Sequence, residues 1–393
     1  MSDRTLLVFT RALRLFAYGA LAVVLVLYLT ELGLRASQIG LLLTLTLVGD
    51  TVVSLVLTTR ADRVGRRRVL IAGAMLMTLA GLVFALTSSF VVLVLAGTLG
   101  VISPSGNEVG PFLPIEQAAL SQVVPPAART SVFAWYTLAG ALATAGGSLA
   151  GGGLSEALHS YRIVVLLYAA VGVLLAISFA QVSPRAEVAG VVRHSSLLGV
   201  GRSRLFVLRL ASLFALDAFA GGFVVQSLAA YWFYLRFGVR PATLGAIFFG
   251  ANVLAGISAL LAARLAARFG LVRTMVFTHL PSNVLLILVP LMPTLSLAVA
   301  VLFLRFSISQ MDVPTRQSYL MAIVGPEERS AAAGVTGVAR TTGAALAPVF
   351  AGLLFARPAL IGMPFFIAGA LKIVYDLLLY KAFIQVRPAE EAV

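Results

Sequence analysis

The chain alternates long apolar blocks with short polar ones, and few of the blocks show the one-sided periodicity of a soluble helix. The blocks run at 10–31, 37–59, 67–87, 89–122, 131–155, 162–182, 205–235, 243–266, 272–291, 295–323, 331–355 and 360–382. A helix of about 20 predominantly apolar residues crosses about 30 Å of hydrocarbon, and each block supplies that length. The pattern predicts an all-α integral membrane protein with twelve transmembrane helices. The 89–122 block is the longest. As one helix its roughly 34 residues would extend about 50 Å, and Pro104, Gly106, Gly110, Pro111 and Pro114 lie in its middle. A kink or an unwound stretch is expected there.

Composition agrees. Of 393 residues, 60% are hydrophobic and 11% charged. A soluble domain carries about 25% charged residues, so this chain cannot cover a water-facing surface. The net charge of +14 does not point to nucleic acid, because the basic residues sit mainly in the loops. One alternate set of loops holds fifteen arginines, among them Arg60, Arg63, Arg66, Arg67 and Arg68; the other holds five, Arg35, Arg162, Arg236, Arg240 and Arg357. That bias places both termini in the cytoplasm. Lys372 and Lys381 are the only lysines, which points to a GC-rich bacterial genome and hence a bacterial inner (plasma) membrane. With no cysteine and three histidines, neither disulfides nor a soft-metal site is expected; an oxygen-ligated cation at Glu108 and Asp312 stays open, and no cofactor is expected. The first block is too long for a signal-peptide core and reads as the first span. No nucleophile motif, phosphate-binding loop or appended soluble domain is visible. An enzyme is therefore not expected, nor is ATP as direct energy source. The expected partners are the bilayer, a small-molecule substrate and protons, and the protein is expected to be a monomer.

The two halves of the chain repeat each other. Residues 32–40, LGLRASQIG, match 237–245, FGVRPATLG, and 114–129, PIEQAALSQVVPPAAR, match 314–329, PTRQSYLMAIVGPEER. Pro114/Pro314, Gln117/Gln317 and Arg129/Arg329 coincide in one register. The repeat defines an N-terminal six-helix half over 1–183, a cytoplasmic linker over 184–204 and a C-terminal half over 205–393. Two parallel halves with a substrate path between them form a transporter plan.

The loop after the second span reads TTRADRVGRRRVL at 58–70. It resembles the signature loop of the major facilitator superfamily, Gly-x-Leu-Ala-Asp-Arg-x-Gly-Arg-Arg/Lys, through Ala61, Asp62, Arg63, Gly65, Arg66, Arg67 and Leu70. Thr58 stands in place of the family's first glycine and Arg60 in place of its apolar third residue. The equivalent loop at 263–275 is degenerate, with Ala267 replacing the aspartate. The resemblance implies two pseudo-symmetric six-helix bundles, alternating access and conformational gating by Asp62, Arg63, Gly65, Arg66 and Arg67. In the family that aspartate meets a positive group and a helix N-terminus, a favourable place for an acid. The fifth span, rich in glycine from Gly140 to Gly153, partly matches a second family signature found in antiporters. Small residues of that kind also permit close helix packing.

Ionisable residues at bilayer depth are functional candidates because they cost free energy there. Asp50, Glu108, Asp217 and Asp312 are the acidic ones; Arg14, Arg305 and Arg340 are cationic. Asn107 and Glu108 fall in the expected break of the fourth span. Glu116 and Arg316 occupy equivalent repeat positions and are expected to face each other, and so are Arg14 and Asp217. Glu108, Asp312, Asn107, Glu116, Arg316, Asp217, Arg14 and Asp50 are thus the candidates for substrate contact or proton coupling. Lys372 and Asp376, four apart, are expected to pair on one helix. His279 reads as hydrogen-bonded structure, and the aromatic run Tyr231–Tyr234 as an interfacial belt. The function expected is a secondary active transporter exporting a small organic compound in exchange for protons. The alternative is a transporter of an anionic metabolite or inorganic ion, with Arg305, Arg316 and Arg340 suited to an anion.

Overall fold

The computed structural model describes residues 2–125, 129–187, 203–325 and 328–384. They form fifteen α-helices: α1 (Asp3–Glu31), α2 (Ala36–Val64), α3 (Arg66–Leu86), α4 (Phe90–Leu99), α5 (Phe112–Val123), α6 (Arg129–Ala157), α7 (Arg162–Phe179), α8 (Arg204–Gly222), α9 (Gln226–Phe237), α10 (Pro241–Phe269), α11 (Leu271–Leu288), α12 (Leu295–Ser309), α13 (Asp312–Ile323), α14 (Arg329–Phe355) and α15 (Met363–Phe383). These occupy all twelve expected positions. Ten helical segments among the described residues are long and apolar enough to cross a bilayer, and α4 is a shorter apolar helix. Three expected spans are each built from two helices: α4 with α5, α8 with α9, and α12 with α13.

The chain packs as two compact units, Met1–Arg193 with Val225–Phe249, and His194–Val224 with Gly250–Val393. Residues 225–249 group with the first unit for local reasons. The backbone N–H of Ser227 donates to the Pro104 carbonyl at 3.1 Å. Glu156 accepts from the Ala242 N–H at 2.9 Å and pairs with Arg240 at 3.1 Å.

In the first unit α1 is the central helix, buried without a gap from Ala17 to Leu29, and it packs on α6 and α7. Contact with α6 is backbone to backbone. A Cβ on Gly19 would strike the carbonyl of Thr144, and one on Gly147 would strike the carbonyl of Phe16. In the second unit α8 packs on α14 in the same way, with Gly222 against the Ala344 carbonyl and Gly343 against that of Ala215. Around it Val207, Phe214, Met275, Tyr319, Tyr375 and Phe383 close an apolar core. Without a hydrophobic drive between helices in lipid, close approach through small residues supplies the packing. This is the use the structure makes of Gly147 and Gly151 in the glycine-rich fifth span. The residues left exposed on the spans include Leu86, Val91, Leu99, Ile177 and Leu260, as expected of a lipid-facing surface. The aromatic run on α9 departs from expectation: Tyr231, Trp232 and Phe233 are buried and only Tyr234 is exposed. Trp232 packs edge-on against Phe233 and Phe237, so ring packing accounts for two of the four.

Neighbouring glycines on α6 give a matched test of this packing. Gly147→Ala is expected to lower the thermal unfolding temperature in detergent, at a cost of about 1–3 kcal/mol from overpacking against α1. Gly146→Ala, whose Cβ would have nothing within 4 Å, is expected to change stability by less than about 0.5 kcal/mol.

Candidate functional site

Positions 10, 11 and 14 of α1 share one helical face, and they hold a buried charge network in the first unit. Arg14 is fully buried. Its two terminal nitrogens donate to the two oxygens of Glu116 at 2.8 Å each, the bidentate arrangement that gives a guanidinium its strongest hold on a carboxylate. Its Nε and Nη2 also reach Glu108 at 3.2 and 3.1 Å. Thr10 donates to Glu116 Oε1 at 3.0 Å, and the Tyr136 hydroxyl donates to Oε2. Arg11 pairs with Glu108 at 2.8 Å and lies over the Tyr136 ring. Two cations and two carboxylates thus neutralise one another. In an unbroken helix Glu108 and Glu116 would sit about 12 Å apart along the axis, too far for one guanidinium. The unwinding between α4 and α5 brings them together.

That unwound stretch, 100–111, lies where the prolines and glycines placed it. Its backbone groups find internal partners, as they must at membrane depth. Tyr18 donates to the Val109 carbonyl at 3.4 Å, Tyr168 to that of Val101, and Ser103 to that of Asn107 at 2.7 Å. Gly110, at φ +78°, turns its N–H to Asp50 Oδ1 at 2.6 Å. A residue with a side chain resists that conformation. Asp50 is buried, and it also accepts from the Ser54 hydroxyl at 3.5 Å. Among the described residues no cation lies within 4.0 Å of it. Asn107 is exposed.

The second unit holds a network of its own. Asp217 Oδ1 accepts from Lys372 Nζ at 2.5 Å, Oδ2 accepts from Arg316 at 3.0 Å, and His279 Nε2 lies at 3.8 Å. Arg316 also reaches Asp312, one turn before it, at 3.5 Å. Asp376 bonds His279 at 2.8 Å and Asn283 at 2.9 Å. Lys372 and Asp376 therefore do not pair with each other, contrary to the sequence reading. Each finds its partner on another helix, Lys372 on α8 and Asp376 on α11. Arg305 and Arg340 have no carboxylate within 4.0 Å among the described residues.

The pairing expected of Arg14 with Asp217 and of Glu116 with Arg316 is likewise corrected, because each of the four is matched inside its own unit. The repeat aligns Arg14 with Asp217 and Glu116 with Arg316. Both units hold the same ion pair at equivalent positions, with the charges exchanged.

At the signature loop, Gly65 (φ +106°) turns α2 into α3. The acid that caps α3 is Glu187, which accepts from the N–H groups of Arg66 and Arg67 at 2.7 and 2.9 Å; the helix dipole favours it there. The Arg66 side chain reaches Gln122 at 2.8 Å and the Ala186 carbonyl at 3.1 Å. Arg63 and Arg67 are exposed. The side chain of Asp62 lies outside the described residues. Sequence reasoning did not find Thr10, Arg11, Tyr136 or Glu187. The one available signal was Arg11, which precedes Arg14 by three residues and so shares its face.

Removing Arg14 would strand Glu116 and leave Glu108 with Arg11 alone. Arg14→Gln is expected to destabilise by about 3–5 kcal/mol, the range for breaking a buried pair. Arg14→Gln combined with Glu116→Gln is expected to recover part of that loss. Thermal unfolding of the purified variants in detergent measures both; equal loss in the single and double variants would refute the pairing.

Comparison with known proteins places this geometry in a family. The family model described as Major Facilitator Superfamily matches residues 7–348. The chain is 31% identical over 414 residues to the uncharacterized membrane protein YJR124C of Saccharomyces cerevisiae, covering 95% of this chain and 92% of that protein. Among solved structures it is similar to the nucleoside transporter NupG, with a TM-score of 0.77 and 14% identity over 97% of this chain and 100% of that one. It is also similar to the D-xylose-proton symporter, with a TM-score of 0.72 and 16% identity over 96% of this chain and 97% of that one. At these identities the likeness speaks for the fold. The chain belongs to the Major Facilitator Superfamily, a family of multi-pass membrane transport proteins.

Proposed function

We propose that the protein is a secondary active transporter, working by alternating access, that exports a small organic compound in exchange for protons. The observation that carries the proton assignment is Asp50. Glu108 and Glu116 are matched by Arg11 and Arg14, and Asp217 and Asp312 by Lys372 and Arg316. Asp50 alone among these candidates is buried with no cation beside it. An ionised carboxylate in that position costs several kcal/mol, and taking up a proton removes the charge. Its oxygen holds the Gly110 N–H at the break of the fourth span. A charge-assisted hydrogen bond is about twice as strong as a neutral one, so protonation weakens the tie that keeps the break in this form. Proton uptake is thereby linked to the shape of the helix pair α4–α5, where transporters of this plan expose backbone to substrate.

Export rests on the partial match of the fifth span to the antiporter signature. The two six-helix halves, divided by the 184–204 linker, are the bodies that move in this reading. Arg63, Gly65, Arg66 and Arg67, with Asp62, form the gate loop. Glu187 supports that role by tying the start of α3 to the segment after α7. The arginine-rich loops support cytoplasmic termini in a bacterial inner membrane.

The test uses the protein in liposomes loaded with a pH-sensitive dye, challenged with a substrate panel. Asp50→Asn, which keeps an oxygen to accept the Gly110 N–H, is expected to abolish substrate-driven proton movement and to retain substrate exchange. Glu108→Gln and Asp312→Asn are expected to retain measurable proton movement. Proton flux that persists in Asp50→Asn would move the coupling site elsewhere. Substrate uptake without proton movement in the unaltered protein would reject proton coupling.

A further inference from the structure

The charges carried on the spans around the Asp217 network do not balance. Asp376 is held by hydrogen bonds with His279 and Asn283. Four cations then remain, Arg305, Arg316, Arg340 and Lys372, against two carboxylates, Asp217 and Asp312. Both carboxylates are already engaged by Arg316 and Lys372. Arg305 on α12 and Arg340 on α14 are left over, and the Nε of each is buried without a hydrogen bond. Both arginines lie within electrostatic reach of Asp217 and Asp312, so they border the same network. Arg340 also lies within reach of the like charge of Arg316.

Such an arrangement is unfavourable for the protein alone. A cation at bilayer depth costs a few kcal/mol or more, and a guanidinium cannot shed its proton to escape the cost. Mutual repulsion adds to it. Neither arginine is fully buried, so each guanidinium is open to a group from outside the chain. Guanidinium forks match carboxylate and phosphate oxygens in geometry as well as charge. We propose that Arg305 and Arg340 recognise an anionic group of the transported compound, a carboxylate or a phosphate. This deepens the transport reading and rests on it: the small organic compound is an organic anion.

The experiment follows thermal unfolding of the purified protein in neutral detergent and low-chloride buffer. The probes are benzoate, succinate, inorganic phosphate and glycerol 3-phosphate, with benzamide and glycerol as neutral counterparts and phosphatidylglycerol as a lipid source of phosphate. At least one organic anion is expected to raise the unfolding temperature by a few degrees while its neutral counterpart does not. In Arg305→Gln and Arg340→Gln the concentration needed is expected to rise about tenfold to a hundredfold, the loss of one charged hydrogen bond. Without ligand, both variants are expected to be at least as stable as the unaltered protein, since an uncompensated charge has been removed; a marked loss of stability would reveal an internal partner and overturn the proposal. So would equal protection by anion and neutral counterpart, unchanged affinity in both variants, protection by inorganic phosphate or phosphatidylglycerol alone, or no response to any probe. Asp50→Asn is expected to keep the full anion response. Anion protection that persists in a protein moving no substrate would sink the transport reading and leave the anion site standing.

Discussion

An ion in hydrocarbon has to meet its counter-ion at once, and this requirement organises both units. Water is not there to solvate Arg14, so the fork to Glu116, the Tyr136 hydroxyl and the Thr10 hydroxyl take its place. The same rule fixes Asp217 between Arg316 and Lys372. A buried pair of this kind contributes little net stability compared with apolar residues of equal volume, yet breaking it is costly. Its effect is therefore on specificity of packing. It locks α1 to α5 and α6 in one unit, and α8 to α13 and α15 in the other, at a register no sliding of smooth apolar helices would select.

The broken helices follow from the same constraint. A continuous fourth span would hold Glu108 and Glu116 too far apart for Arg14 to serve both. Unwinding solves that problem and creates another, because freed backbone groups need partners at membrane depth. Tyr18, Tyr168, Ser103 and Asp50 supply them. The side chains that satisfy the backbone are thus part of the charge network's cost. In the second unit the break between α12 and α13 is shorter, and there the Gln310 N–H turns to the Ser258 hydroxyl at 3.3 Å. A neutral hydroxyl in one unit does the work that a carboxylate does in the other.

Much of this was legible in the sequence. Run lengths of apolar residues placed all twelve spans, and Pro104, Gly106, Gly110 and Pro111 placed the unwound stretch. The repeat aligned Arg14 with Asp217 and Glu116 with Arg316, which are equivalent positions in the structure. What the sequence could not decide was the pairing. A cation on one helix and an anion on another are equally complementary whether the partner lies in the same half or the other, so the repeat supports both arrangements. Lys372 and Asp376 failed for a related reason. Spacing of four residues permits a pair on one helix, but it carries no information about Asp217 on α8 or His279 on α11, which compete for the same charges. Glu187 had no local signal at all, since its role depends on where the end of α7 meets the start of α3. The division of span 7 into α8 and α9 was also not marked by proline.

The exchange of sign between the units carries a consequence for chemistry. A strict duplicate would place the same surplus charge in each half and bind the same kind of ligand twice. Here the paired residues are reversed, and the unpaired residues are reversed too. The first unit holds a buried carboxylate with no cation beside it, Asp50, and the second holds two guanidinia with no carboxylate beside them, Arg305 and Arg340. A lone carboxylate is suited to a small cation, of which the proton is the one it can take up without a coordination shell. Lone guanidinia are suited to an anion that brings its own oxygens. On the proposed reading, duplication followed by exchange of one ion pair gives a single chain two sites of opposite preference. Each is kept from collapse by a neutral pair beside it, and a transporter that couples two unlike solutes needs that division.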